Sequence, residues 1–269
     1  MRERLLIRDK HLAAFGYTLS EFLINVTSHD THACINVLLE STTQSTTRLL
    51  NDLSSGTFDV ESILEVIIPL SNQEMLTVQD SYMEEYNRSL ETVVLNSEMD
   101  TAVKRLLGSL LLGMRAESKV VSISQINKDV NRILEGDDID VQSVLAIRSL
   151  EDINTIYEEF TLSNSDLTEF LFDQSEDIYI MGYVKIVSYG RSTTDYWAAV
   201  FNRLIHVTPS SSNHFTRILV QRAEIDLNGI TQRYQELYGR SLEDDVINNY
   251  SGPCKEQAIT TINHQFIHA

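Results

Sequence analysis

Apolar side chains recur along the chain at steps of one and then three to four residues, as in Ile63, Leu64, Ile67 and Ile68 and again in Leu106, Leu107, Leu110 and Leu111. Such spacing lays a broad apolar stripe along one side of an α-helix. Alternation with a period of two, the mark of a half-buried strand, is absent. Breaks at Ser54-Ser-Gly56, Ser71-Asn72, Asn87 and Ser97-Glu98 divide the second quarter of the chain into five helices, expected near 44–53, 59–69, 72–86, 88–95 and 100–112. The plan continues with helices near 122–134, 139–148, 150–162, 165–172 and 177–187, then near 193–206, 212–221, 224–238, 240–247 and 253–263. The pattern predicts an all-α fold.

The plan is a repeat. Leu19, Leu90, Leu167 and Leu242 mark one point in four related segments, 71, 77 and 75 residues apart. Tyr82-Met-Glu-Glu-Tyr-Asn-Arg-Ser-Leu-Glu91 aligns without a gap on Tyr234-Gln-Glu-Leu-Tyr-Gly-Arg-Ser-Leu-Glu243, and Val94 and Val246 follow at the same offset. The mark reads Phe15-Gly-Tyr-Thr-Leu19 in the first segment and is distorted after Phe160 in the third. The expected segments are 1–42, 43–116, 117–191 and 192–269, the first incomplete, with room for only the last three helices of the plan. A repeat lacking two helices is expected to present an open apolar face that needs a cover.

At 269 residues with 42% hydrophobic residues and three prolines, the chain can bury a large core. Twenty-one Lys and Arg against 39 Asp and Glu give a net charge of −18, which removes the counterion-release drive for binding nucleic acid. The same charge opposes an anionic membrane unless a cation intervenes. Cys34 and Cys254 are expected to be buried free thiols rather than a disulfide, which favours a reducing, intracellular compartment. No run approaches the roughly 20 apolar residues of a membrane span, and the charged first ten residues do not suit a signal peptide, so a cytoplasmic protein is expected.

The stretch Arg217-Ile-Leu-Val-Gln-Arg222-Ala-Glu-Ile-Asp-Leu227, running on to Tyr238-Gly-Arg-Ser-Leu-Glu-Asp-Asp-Val246, resembles the third and fourth helices of an annexin repeat, and Asn72 to Leu90 is nearly as close. Arg148 and Arg222 also sit where annexin repeats carry an arginine at the end of the second helix. The resemblance covers essentially the whole chain. It implies annexin-like repeats of five helices, packed as a curved disc, and calcium-dependent binding of acidic phospholipid membranes, peripheral at the inner face and non-catalytic. In the family, carbonyls of a glycine-rich loop between the first two helices bind the ion, and a carboxylate roughly 40 residues later caps it. Calcium takes six to eight oxygens, which a glycine-rich turn exposes.

Measured against that pattern, Leu53-Ser54-Ser-Gly56-Thr57 with Glu98 is a degenerate loop in the second segment. Leu134-Glu-Gly136-Asp-Asp-Ile-Asp140 with Glu176 is another in the third. The competing readings make Glu98 a solvated loop acid, Asp138 or a neighbour a helix cap, and Glu176 and Asp177 favourable charges at a helix start. In the fourth segment His206-Val-Thr-Pro-Ser-Ser-Ser-Asn213 replaces the loop and Asn249 or Tyr250 stands for the acid, so no site is expected. The first segment lacks the loop. These losses point to an alternative: a calcium-independent scaffold that binds cytoskeletal or other proteins.

Other chemistry is poorly supported. His29-Asp-Thr-His32 lacks further ligands for zinc, and Asp30 reads better as a cap. No phosphate loop, dinucleotide fingerprint or nucleophile motif is present, and catalysis is not expected. Trp197, Val200, Phe201 and Leu204 share one helical face and are expected in the core. Glu84, Arg148 and Arg222 are expected to pair across a hydrophilic centre of the kind annexins have.

Overall fold

Short polar residues set the helix starts. Ser71 Oγ accepts from Glu74 N–H while the Glu74 carboxylate accepts from Ser71 N–H at 2.9 Å, a reciprocal box that satisfies two helix-end donors. Ser89, Ser122, Ser149, Asp166 and Ser241 cap other helices in the simpler one-way form. Where Asn87 and Gly239 align in the repeat, both chains turn left-handed, with φ of 52° and 68°. That turn ends one helix and sends the chain into the next at the same place in both segments.

The computed structural model describes residues 2–27, 29–117, 121–207 and 212–263, leaving aside the side chains of 2, 3, 29, 30, 32–34, 212 and 213. Among these residues every regular element is an α-helix. They run α1 (Arg2–Phe15), α2 (Leu19–Val26), α3 (His29–Leu39), α4 (Thr42–Leu53), α5 (Val60–Ile67), α6 (Asn72–Tyr86), α7 (Leu90–Leu95) and α8 (Thr101–Leu111). Then come α9 (Ile123–Glu135), α10 (Asp138–Leu145), α11 (Leu150–Ser163), α12 (Leu167–Gln174) and α13 (Ile178–Arg191). The last are α14 (Thr193–His206), α15 (Ser212–Arg222), α16 (Leu227–Tyr238), α17 (Leu242–Asn249) and α18 (Gly252–Asn263). Most ends fall within three residues of the expected ones. The exception is the end of α13, which continues to Arg191, whose guanidinium lies 3.8 Å from the centre of the Tyr157 ring; α16 starts three residues late, where Asp226 turns back to pair with Arg222.

Two compact units form, residues 50–196 and residues 1–49 with 197–269. In the first, α13 packs against α5, α8, α10, α11 and α12. Leu64, Leu107, Ile153, Phe160, Leu167, Tyr183 and Ile186 are fully buried there, each apolar side chain contributing about 1.5–3 kcal/mol by leaving water. Lys185 reaches Glu61 at 3.0 Å and the fully buried Glu65 at 2.8 Å, so the acids on α5 are compensated. In the second unit α3 packs on α15 and α18, and α17 on α18. Trp197, Val200, Phe201 and Leu204 are all buried there, as their spacing predicts. Buried Glu40 holds both Arg217 and Arg48.

Three expectations change. Cys254 is disulfide-bonded rather than a free thiol; Cys34 lies outside the described side chains. Glu84 is exposed and joins no ion pair among the described residues, while Arg148 closes on Asp129 at 2.7 Å and Arg222 on Asp226 one turn along the chain. The arginines thus brace their own segments instead of pairing across a centre. The fourth-segment residues 208–211 and the side chains of His29, Asp30, His32, Ser212 and Asn213 lie outside the described residues.

Candidate metal centre

The aligned tyrosine and arginine of the repeat meet one asparagine in both the second and the fourth segment. Tyr82 Oη donates to Asn51 Oδ1 at 3.3 Å and Arg88 Nη2 donates to the same oxygen at 3.0 Å. In the fourth segment Arg240 Nη2 donates to Asn202 Oδ1 at 2.9 Å, and Tyr234 Oη stands 3.3 Å from the same oxygen. In each case one asparagine near the end of a segment's first helix is held by the third helix and by the turn after it. The sequence offered the Tyr and Arg as matches, but Asn51 and Asn202 were passed over.

The second-segment loop is open. Asp59 N–H donates to Leu53 O at 3.0 Å and closes the turn, while Ser54 and Ser55 hydroxyls both donate to Asn51 O. Gly56 sits at φ 76° with free space around it. Among the described residues no hydrogen bond is donated to the carbonyls of Ser54, Ser55 or Gly56. Glu98 is exposed and unpaired between α7 and α8, while its neighbour Asp100 caps α8 through Ala102 N–H at 2.7 Å. Helices α5 and α8, which follow the two loops, pack together.

In the third segment most of the acidic charge is already used. Asp137 Oδ1 accepts from Ile139 and Asp140 N–H at 2.9 and 3.1 Å, and so caps α10. Asp138 pairs with Arg105 and accepts from Tyr183 Oη at 2.6 Å, and Asp140 pairs with Arg132 at 2.9 Å. Burial raises the pKa of the Tyr183 phenol, which therefore keeps the proton it donates. The cap falls to Asp137 itself, one residue before Asp138. Gly136 has an ordinary φ of −81°, and a close approach demands it: a Cβ there would stand 2.2 Å from Arg132 O and 2.5 Å from Asp140 Cβ.

The carbonyls of Leu134, Glu135 and Gly136 accept no hydrogen bond from outside their helix among the described residues, and Glu176 is exposed and unpaired. Asp177 stands at the start of α13 without capping it, held instead by Ser175 Oγ at 2.7 Å. A cavity of about 280 Å³ is lined from one side by Leu134, Gly136 and Asp138 and from the other by Gln174 and Tyr179, which flank Glu176. Leu134 and Gly136 of the expected third-segment site line this hollow, and Glu176 is not among its lining residues.

The fourth segment is closed by side chains. Asp245, 4% exposed, accepts from Tyr234 Oη and Arg240 Nε, both at 2.5 Å, and stands 3.0 Å from His206 Nε2. Burial alone would raise the Asp245 pKa, but the hydrogen bonds from Tyr234, His206 and Arg240 outweigh it and hold it below the usual carboxylate range. Tyr250, where an acid would be needed, is buried against Phe215 with ring centres 5.1 Å apart, and its hydroxyl donates to Leu204 O. Neither group offers calcium an oxygen.

Among the described residues no three His, Cys, Asp or Glu side chains cluster as metal ligands. The second- and third-segment loops fit calcium only in the carbonyl-rich manner, with backbone oxygens supplying most of the shell.

The all-α frame, with its repeated third and fourth helices and its loops after each first helix, defines a class of helical repeat protein. Comparison with known proteins gives the family. The Annexin family profile matches residues 196–260. The chain is 27% identical over 270 residues to annexin A13 of Homo sapiens, spanning 97% of this chain and 85% of that protein. Among solved structures, annexin III superposes with a TM-score of 0.89 at 20% identity, over 97% of this chain and 84% of that one. Calcium-bound annexin (Sm)1 superposes with a TM-score of 0.88 at 19% identity, over 97% and 81%. Residues 196–260 thus match the annexin family, and the chain is similar to annexins over nearly its whole length.

Proposed function

We propose that this chain binds acidic phospholipid surfaces through calcium, peripherally and without catalysis, with Ser54, Gly56 and Glu98 forming one site and Leu134, Gly136 and Glu176 the other. The observation that carries the reading is the pairing of unbonded loop carbonyls with exposed, unpaired carboxylates in these two segments. Calcium held there would reverse the local sign of the field and use lipid phosphate oxygens to complete its shell. The chain's own part is to present the carbonyls on turns fixed by Asp59 and Asp137, and to supply Glu98 and Glu176 as capping charges. For a chain of net charge −18, binding to an anionic surface has to depend on such a cation. The expected place of action is the inner, cytoplasmic face of a membrane.

The test is co-sedimentation with phosphatidylserine vesicles over a calcium titration. Wild-type protein should sediment with calcium and stay in solution with chelator. Glu98→Gln combined with Glu176→Gln should raise the calcium required by about tenfold or more, for a loss of about 1.4 kcal/mol or more, at unchanged helicity. Unchanged calcium dependence in the double variant would sink the site assignment.

A second reading, binding of cytoskeletal or other proteins without calcium, is favoured by the first segment. Phe15, Tyr17 and Phe22 are 61%, 41% and 42% exposed and gather around His11, with ring centres 4.8–5.9 Å from it. A partner retained on the protein in excess chelator and lost on Phe15→Ser with Phe22→Ser would support it; a pull-down emptied by chelator would count against it.

A further inference from the structure

The third-segment cavity has a wall chemistry that the calcium reading does not use. Its volume of about 280 Å³ exceeds the ~150 Å³ that is enough to take up benzene. Val141 and Leu171, 9% and 1% exposed, give it an apolar floor. Three aromatic side chains, Phe170, Tyr179 and Tyr183, line it as well, and the two tyrosines meet edge to face with ring centres 5.9 Å apart. Aromatic faces carry negative potential and attract cations that water holds only weakly.

Charge points the same way. Of the two carboxylates lining the cavity, Asp138 is compensated by Arg105 and Tyr183. Asp137 is not: only its Oδ1 is engaged, by two backbone N–H groups, and among the described residues its Oδ2 has no donor and no cation faces it. An exposed carboxylate with one free oxygen therefore stands beside an apolar, aromatic-lined hollow that contains no positive side chain of its own. A neutral apolar ligand would leave that charge unanswered, and an anion would be repelled by it.

We propose that this cavity is a binding site for a quaternary ammonium group of choline size, received by Phe170, Tyr179 and Tyr183 and balanced by Asp137. The site needs no calcium, so it stands or falls separately from the membrane reading. The ammonium can arrive as free choline or as the headgroup of a phosphatidylcholine.

The test is titration calorimetry in chelator with choline and with 3,3-dimethylbutan-1-ol, its neutral isostere, alongside co-sedimentation with pure phosphatidylcholine vesicles. Choline should bind about tenfold or more tightly than the isostere. Asp137→Asn keeps a good helix cap while removing the charge, and should erase most of that preference. Val141→Phe, checked for folding by thermal unfolding, should abolish binding by filling the hollow. Sedimentation with the vesicles would assign the source as lipid, and calorimetric binding without sedimentation as free choline. Equal affinity for choline and the isostere, no heat from either, or full choline affinity in Asp137→Asn would each overturn the proposal.

Discussion

The second and fourth segments start from the same frame and finish it in opposite ways. In both, a tyrosine and an arginine surround one asparagine near the end of the segment's first helix. In the second, Ser54 stands next to that group, too short to do more than touch Tyr82 Oη at 3.5 Å, and the loop carbonyls stay free. In the fourth, His206 and Asp245 extend the group into a closed network. Polar groups satisfied by side chains stabilise the segment but are lost to an ion; groups left open cost stability and can bind. The two segments of this chain divide those roles.

The largest test of that division is energetic. Asp245→Ala strips three partners at once and leaves Arg240 and Tyr234 facing a vacated, buried spot, so it should cost about 3 kcal/mol in urea unfolding. Asn51→Ala removes an acceptor from a more open group and should cost about 1 kcal/mol. Equal costs would mean that the fourth network is no tighter than the second.

The glycines sharpen the contrast between the second and third loops. Gly136→Ala forces a Cβ against backbone and should destabilise by about 2 kcal/mol. Gly56→Ala meets only the penalty of a left-handed backbone in open space, about 1 kcal/mol. Thermal unfolding of the two variants would rank them, and the reverse order would show that the Gly136 turn can relax.

The smallest effect is on pH. Asp166 is pulled down to about 2, because hydrogen bonds from Thr168, Tyr157 and the Thr168 and Glu169 amides outweigh the cost of its burial. Asp245 is depressed in the same sense. A carboxyl whose folded pKa is lowered adds stability that is complete above its unfolded pKa, near 3.8 for Asp, and is lost as pH falls through the folded value. Stability should therefore decline between about pH 4 and pH 2, and Asp166→Asn should flatten that slope in an acid titration followed by circular dichroism. An unchanged slope would exclude Asp166 as a contributor.

Much of this could be read in advance. The helices follow from apolar spacing and from caps such as Ser71 and Ser89, which act within four residues and are visible in any window of that size. The loops at Gly56 and Gly136 were visible too, since breaks in a helical pattern are local. What escaped were partners far apart in sequence: His206 with Asp245, Arg105 with Asp138, Lys185 with Glu65. Nothing in a charge's own neighbourhood tells which distant charge it will meet. Of the third-segment acids, the capping role was legible, whereas the ion pairs of Asp138 with Arg105 and of Asp140 with Arg132 were not. Cys254 was misjudged for a similar reason, because nothing in a cysteine's own neighbourhood tells whether it is bonded.

One of the two compact units is assembled from both ends of the chain, residues 1–49 and 197–269, while residues 50–196 close upon themselves. During synthesis the middle stretch has all its packing partners soon after it leaves the ribosome. Residues 1–49, with core groups such as Val37 on α3, which packs on α15 and α18, must wait until nearly 150 more have been added. Residues 1–49 are thus the stretch most dependent on protection while the rest of their unit is still being made.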